Sequence, residues 1–125
     1  HPAPIGEAEH RRWLAARLDS EASRLFIGMI GRRPVGQLRL ERADDGRVEI
    51  SIGVALPERG RGVGRRLLAA GIEAGRAERW PGFRGFVARV RRDNAASLAL
   101  FLGAGFKELR RTEVNGIPCV VFGLD

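Results

Sequence analysis

The sequence has no tyrosine, one cysteine and two histidines in 125 residues. Each scarcity excludes something. Without tyrosine, no phenol is available as a proton donor. The lone Cys119 rules out an internal disulfide framework and fits a reducing, cytoplasmic compartment. It sits in "PCVVF", on a predicted strand, where a buried structural thiol is expected. One cysteine with His1 and His10 is too small a ligand set for zinc, so no metal is expected. No apolar run approaches the ~20 residues of a membrane span, and no signal-peptide pattern opens the chain. Aromatic residues are only 6%, few for stacking on bases. "RGF" at Arg84 to Phe86 starts like an RNA-binding signature, but Val87 and Ala88 break it. Neither a nucleic acid nor a membrane is therefore expected as a partner.

Lysine is scarce too. Lys107 is the only lysine among 22 basic residues, and with 15 acidic ones the formal charge is +7. Arginine's planar fork suits phosphate, so the charge points to an anionic partner. For any single arginine, a solvated surface position explains it equally well. The length suits one compact domain, residues 1–125, and 44% hydrophobic residues suffice for one core. The opening "HPAPIGEAEH" has no initiator methionine, and a fragment or processed form is expected.

Hydrophobic spacing predicts helix, three strands, helix, strand, helix and two strands, a mixed α/β (α+β) domain. Glu7 to Asp19 reads as the first helix. "RLFIGMIG" and "VGQLRL" read as strands, and "RVEISIGV" alternates so that Val48, Ile50, Ile52 and Val54 face one way and Glu49, Ser51 and Gly53 the other. In "GVGRRLLAAGIEAGRAE" a buried helical stripe runs through Val63, Leu67, Leu68, Gly71, Ile72 and Gly75. "FRGFVARV" is a strand, "DNAASLALFLGAG" a short helix capped by Asp93 or Asn94, and Asn115-Gly116 turns a final hairpin.

Between the alternating strand and the next helix lies "RGRGVGRR". Glycines let successive N–H groups turn inward as an anion-binding nest. The following helix adds unpaired N–H groups and the positive end of its dipole. The arginines add charge, and a pyrophosphate satisfies all three features. The P-loop pattern fails for want of its lysine, and the dinucleotide fingerprint fails because Arg65 stands where its last glycine belongs.

Arg59-Gly60-Arg61-Gly62-Val63-Gly64 does match [QR]-x-x-G-x-[GA], and "NAASLALFLGAGF" matches N-x-x-S-x-x-L-[YF]-x-x-x-G-F through Asn94, Ser97, Leu100, Phe101, Gly105 and Phe106. With both motifs in order on the expected elements, the chain resembles the GNAT superfamily of N-acetyltransferases from about Leu25 onward. The resemblance implies a mixed, mostly antiparallel central sheet flanked by helices on both sides. Acetyl-CoA would lie in a splay between two central strands. Its pantetheine arm would pair with main chain at Ile52, Gly53 and Val54. Its pyrophosphate would rest on Arg59, Gly60, Arg61, Gly62, Val63, Gly64 and Arg65. Asn94, Ser97 and the helix bearing Phe101 would flank the arm and thioester. Relatives usually begin with a strand and a helix that are not read here. Many also pair through their last strands, and "CVVFGL" is the segment through which a homodimer would form.

The implied reaction is direct attack of a primary amine on acetyl-CoA in a ternary complex. Glu49, on the polar face of its strand, is the candidate base; a salt-bridged surface glutamate is the other role open to it. His10, on the first helix, is a second titratable candidate. Many relatives place a tyrosine where Phe101 stands, so the leaving thiolate needs another proton source or none. Arg89 and Arg91 alternate on the strand lining the cleft and suit an anionic acceptor. Within the superfamily the chain most resembles GNAT domains associated with bacterial amino-sugar and surface-polysaccharide synthesis, which implies an amino group on a nucleotide-linked sugar. A protein N-terminus, a small-molecule amine, and a non-catalytic acyl-CoA-binding module are the alternatives.

Overall fold

The computed structural model describes residues 11–16, 22–55, 59–60 and 62–125. In chain order these form β1 (Arg11–Ala16), β2 (Ser23–Ile30), β3 (Arg33–Arg42), β4 (Val48–Val54), α1 (Val63–Ala77), β5 (Phe86–Arg91), α2 (Ala95–Gly103), β6 (Lys107–Val114) and β7 (Ile117–Leu124). The strands make one sheet in the order β1-β2-β3-β4-β5-β7-β6. Every neighbouring pair is antiparallel except β4 and β5. This is the mixed, mostly antiparallel sheet expected.

One expected element is corrected. Where helical spacing predicts a helix over 7–19, residues 11–16 form a strand paired with β2 from Arg11↔Ile30 to Ala16↔Leu25. An open outer edge of β2 would leave a row of unpaired N–H and C=O groups, and pairing satisfies them at the expense of local helix preference. Residues 7–10 and 17–19 lie outside the described residues.

The core lies on one face of the sheet. Leu38, Leu40, Val48, Phe86 and Phe122 are buried there, with α1 and α2 packed against them. Each such side chain contributes roughly 1.5–3 kcal/mol. The alternation read from β4 holds: Val48 and Ile50 are buried, while Ser51 and Gly53 are exposed. Two glycines let α1 approach closely. A Cβ at Gly71 would stand 2.3 Å from Leu38 Cδ1, and one at Gly75 2.7 Å from Phe86 Cε1. The indole of Trp80 donates to the carbonyl of Gly75 at 3.0 Å and closes the end of this helix. No described helix lies on the opposite face.

At the chain's end, Asn115 and Gly116 both take positive φ, as a two-residue hairpin turn requires. β7 is hydrogen-bonded to β5 on one side and β6 on the other, so within this chain Cys119–Leu124 lies in an inner strand. β6 is the outer strand, and its Lys107, Glu108, Arg110 and Arg111 are exposed, which blunts edge-to-edge pairing.

The entry to β5 is fixed by Gly85. Its carbonyl accepts from Val48 N at 2.9 Å. Its φ is +98°, and a Cβ there would meet the Leu124 carbonyl oxygen at 2.6 Å. Gly31 also has positive φ, +61°, but open space around it. Gly31→Ala is therefore expected to destabilise by about 1 kcal/mol and Gly85→Ala by about 3 kcal/mol or more, strain adding to backbone overlap. Thermal and urea unfolding of the two variants measure the difference.

Candidate active site

β4 and β5 pair at Val48↔Phe86 and Glu49↔Val87 and nowhere beyond. Each strand then follows its other partner. β4 stays with β3 as far as Gly36↔Val54, and β5 stays with β7 as far as Arg91↔Cys119. The two central strands thus diverge from Ile50 and Ala88 onward.

On the helix side, a groove of about 520 Å³ borders the end of β4. Three segments line it. β4 supplies Ile52, Gly53 and Val54. The loop and first turn of α1 supply Arg59, Gly60, Gly62, Gly64 and Arg65. α2 supplies Asn94, Ser97 and Leu100, with Ala96 and Ala99 beside them. The sequence motifs name most of these positions. They miss Ala96 and Ala99, which the helical spacing from Asn94 places on the same wall.

The chemistry of one end of the groove suits an anion. Gly62 is the N-cap of α1 with φ 77°, no side chain caps the helix, and its first turn contains no acidic residue. The free amides and the dipole are therefore uncompensated from within the helix. Arg59 and Arg65 line the groove, and among the described residues no carboxylate does. Arg59 Nε donates to the Val54 carbonyl at 3.2 Å, tying the loop to the strand end. A Cβ at Gly64 would lie 3.5 Å from Val54 Cγ2 and 3.6 Å from Leu100 Cδ2, so glycine keeps the passage between β4 and α2 open. Pyrophosphate at the arginine end and a pantetheine arm along Ile52, Val54 and Leu100 fit this lining. Arg61 lies outside the described residues, and Val63 turns its side chain into the protein, 6% exposed.

The second motif is largely structural. The Asn94 side chain accepts from Ser97 N at 3.1 Å and caps α2. Phe101 is buried, with Phe106 edge-on at 5.0 Å and Phe122 nearly parallel at 6.2 Å. It is a core anchor beneath α2 and does not line the groove. Gly105, at φ +97°, reverses the chain, and Phe106 N reaches the Phe101 carbonyl at 3.1 Å.

Glu49 and Arg89 are brought together on the opposite face of the sheet. Arg89 Nε and Nη2 donate to the two Glu49 carboxylate oxygens at 2.9 and 3.0 Å. The hydrogen bonds and charge of Glu49 raise the Arg89 pKa. Arg91 is occupied too. Its Nη2 lies 2.8 Å from Asp93 Oδ2. Hydrogen bonding to Arg91 holds the Asp93 carboxyl below its ordinary range, and that pairing is lost as pH falls through the depressed value. Both arginines expected to hold an anionic acceptor therefore already hold carboxylates. His10 lies outside the described residues.

The sequence model of the Acetyltransferase (GNAT) family matches residues 1–106. The chain belongs to the GNAT family. Comparison with the curated proteins finds no match. Among solved structures, YncA of Salmonella typhimurium, solved with its cofactor acetyl-CoA, superposes with a TM-score of 0.70 at 24% identity, covering 82% of this chain and 64% of that one. The spermidine N-acetyltransferase of Vibrio cholerae in complex with CoA and spermine gives 0.71 at 18% identity, over 83% of this chain and 66% of that one. The IAA acetyltransferase of Bacillus cereus gives 0.69 at 18%, over 83% and 78%. At these identities the likeness is one of fold, and the chain spans just under two thirds of the length of YncA.

Two substitutions test this site. Gly64→Val places methyl groups in the passage between β4 and α2, and acetyl-CoA affinity by calorimetry is expected to fall at least tenfold with the melting temperature nearly unchanged. Asn94→Ala removes the cap of α2 and is expected to destabilise by about 1 kcal/mol in urea unfolding.

Proposed function

We propose that this GNAT protein is an acetyl-CoA-dependent N-acetyltransferase acting on a primary amine by direct attack in a ternary complex, with residues 1–125 as a single acyl-CoA N-acyltransferase domain. The observation that carries the proposal is the uncapped, acid-free N-terminus of α1 opening onto the β4–β5 divergence. When bound, acetyl-CoA supplies an activated acetyl thioester.

The chain's residues supply position and charge. Amides at the start of α1 with Arg59 and Arg65 hold the pyrophosphate. The apolar wall of Ile52, Val54 and Leu100 holds the arm extended toward the gap. This fixes the thioester where an amine can reach it, and proximity of that kind lowers a bimolecular barrier by several kcal/mol, up to about 10. Phe101 offers no proton and this sequence has no phenol, so thiolate departure relies on the leaving group itself, on solvent or on a segment outside these residues. Glu49 is the carboxylate assigned to take the acceptor's proton, with Arg89 fixing its orientation. The acceptor class proposed first is an amino group on a nucleotide-linked sugar; a protein N-terminus or a small-molecule amine is the alternative. No described helix is long and apolar enough to cross a membrane, in keeping with a proposed site of action in the cytoplasm.

A second reading has its own support. Phe101 is buried and Glu49 is engaged by Arg89, which suits a module that binds acyl-CoA without turnover.

Calorimetric titration with acetyl-CoA, with 3′-dephospho-CoA and a short DNA duplex as controls, tests the cofactor assignment. Micromolar acetyl-CoA binding is the expected result. Steady-state turnover of Glu49→Gln tests the base: a fall of at least tenfold near neutral pH with little change in acetyl-CoA affinity is expected. Unchanged turnover would leave Glu49 as an anchor for Arg89 alone.

A further inference from the structure

We propose that a second depression, on the face of the sheet away from both helices, is an acceptor subsite for amines that carry an anionic group, with Arg47 and Arg110 as its specificity-determining residues. The inference rests on the acetyltransferase reading and names the substrate class of that reaction.

The depression has a volume of about 280 Å³. Val87 of β5 and Val121 of β7 lie at its base, with Leu109 and Arg110 on one side and Asp45 and Arg47 on the other. Its wall depends on an irregularity in β6. The β6–β7 register shifts between Glu108 and Arg110, so Leu109 is an extra residue and Arg110 stands opposite Val121. Such a bulge re-aims side chains. Gly123 makes room for it, since a Cβ there would come within 2.7 Å of Leu109 Cδ1. Leu109 is left 47% exposed, an apolar flap over an otherwise charged face.

The charges in this depression are unequally satisfied. Glu49 is held by both donors of Arg89. Asp45 accepts from the backbone N–H of Arg47 at 2.9 Å, which fixes the β3–β4 turn. The guanidinium groups of Arg47 and Arg110 have no ion pair among the described residues. Two unpaired guanidinium groups beside an apolar floor match a ligand with an anionic head and a carbon skeleton. A carboxylate and a phosphate both meet that description. A polycation does not.

The subsite also adjoins the reaction gap. Glu49 belongs both to this depression and to the last residue pair before β4 and β5 diverge. Beyond it, Ser51 and Gly53 lie exposed on the same face. From Glu49 to Ile52, where the helix-side groove begins, is on the order of 10 Å along an extended strand. An acceptor anchored at Arg47 and Arg110 presents its amine past Glu49 toward the gap, from the face opposite the acetyl-CoA groove.

The test uses matched amines: glucosamine 6-phosphate against glucosamine, 6-aminohexanoate against hexylamine, and spermidine as a polycation. Acetyl transfer is measured as kcat/KM at saturating acetyl-CoA, and binding of each amine by calorimetry. The anionic member of at least one pair is expected to lead by tenfold or more. The pair that responds tells phosphate from carboxylate. In an Arg47→Gln/Arg110→Gln variant the ratio is expected to collapse toward one, and Arg47→Gln with Arg110→Lys is expected to restore part of it. A preference for the neutral amines or spermidine, or a ratio unchanged in the double variant, overturns the subsite. Retained acetyl-CoA binding and turnover in that case leave the acetyltransferase reading standing. If no amine is acetylated, calorimetry decides: binding of an anionic amine that weakens tenfold in the double variant supports the subsite, and absence of such binding overturns it.

Discussion

The parallel contact between β4 and β5 is short, and the rest of the site depends on where it stops. Val48 and Glu49 meet Phe86 and Val87, and the contact ends there. It is anchored from below by the Val48–Gly85 hydrogen bond and from one face by Phe86, fully buried beneath α1. It ends because each strand has a stronger commitment elsewhere. β4 is paired along its whole length with β3, and β5 along its whole length with β7. The antiparallel ladders on either side therefore hold the lips of the gap apart. Backbone groups facing into the gap have no strand partner, and an extended ligand with amide groups can satisfy them.

The two faces of the sheet divide the work. On the helix face, glycines at 71 and 75 bring α1 down onto Leu38 and Phe86, which places its N-terminus beside the end of β4. Core packing thus sets the position of the uncapped amides at the start of α1. On the other face the described residues provide little apolar cover, and charge dominates. A cross-strand ion pair consumes Glu49 and Arg89, and a local one at the end of β5 consumes Arg91 and Asp93, while bulge and turn geometry leaves Arg47 and Arg110 available.

What the sequence disclosed followed from short-range physics. The alternation in β4 and the Asn115-Gly116 turn are local patterns and appear as read, and the stripe of α1 appears with Ala70 buried and Ile72 only half-buried. The glycine-arginine loop was legible because nest and helix-start chemistry is contained in a few consecutive residues. The first segment was not, because "WLAAR" suits a helix until an open β2 edge competes for its backbone. The Glu49–Arg89 pair joins residues 40 apart in sequence and needs the β4–β5 register to be seen. Phe101 was placed beside the thioester by its motif, whereas packing against Phe106 and Phe122 puts it in the core. The bulge at Leu109 has no signature in "FKELRRTEV", so the depression it shapes was missed along with Arg47 and Arg110.

The near-absence of lysine has a consequence for the proposed binding of an acyl donor. Ammonium groups that lose a proton are themselves acylation targets, whereas guanidinium groups stay protonated and resist it. Among the described residues, every cation along the groove and the second depression is an arginine. The sole lysine, Lys107, is exposed at the start of the outer strand, where it borders neither. Under the proposed function, the electrostatic field that would draw in an anionic thioester is thus insensitive to modification by that thioester.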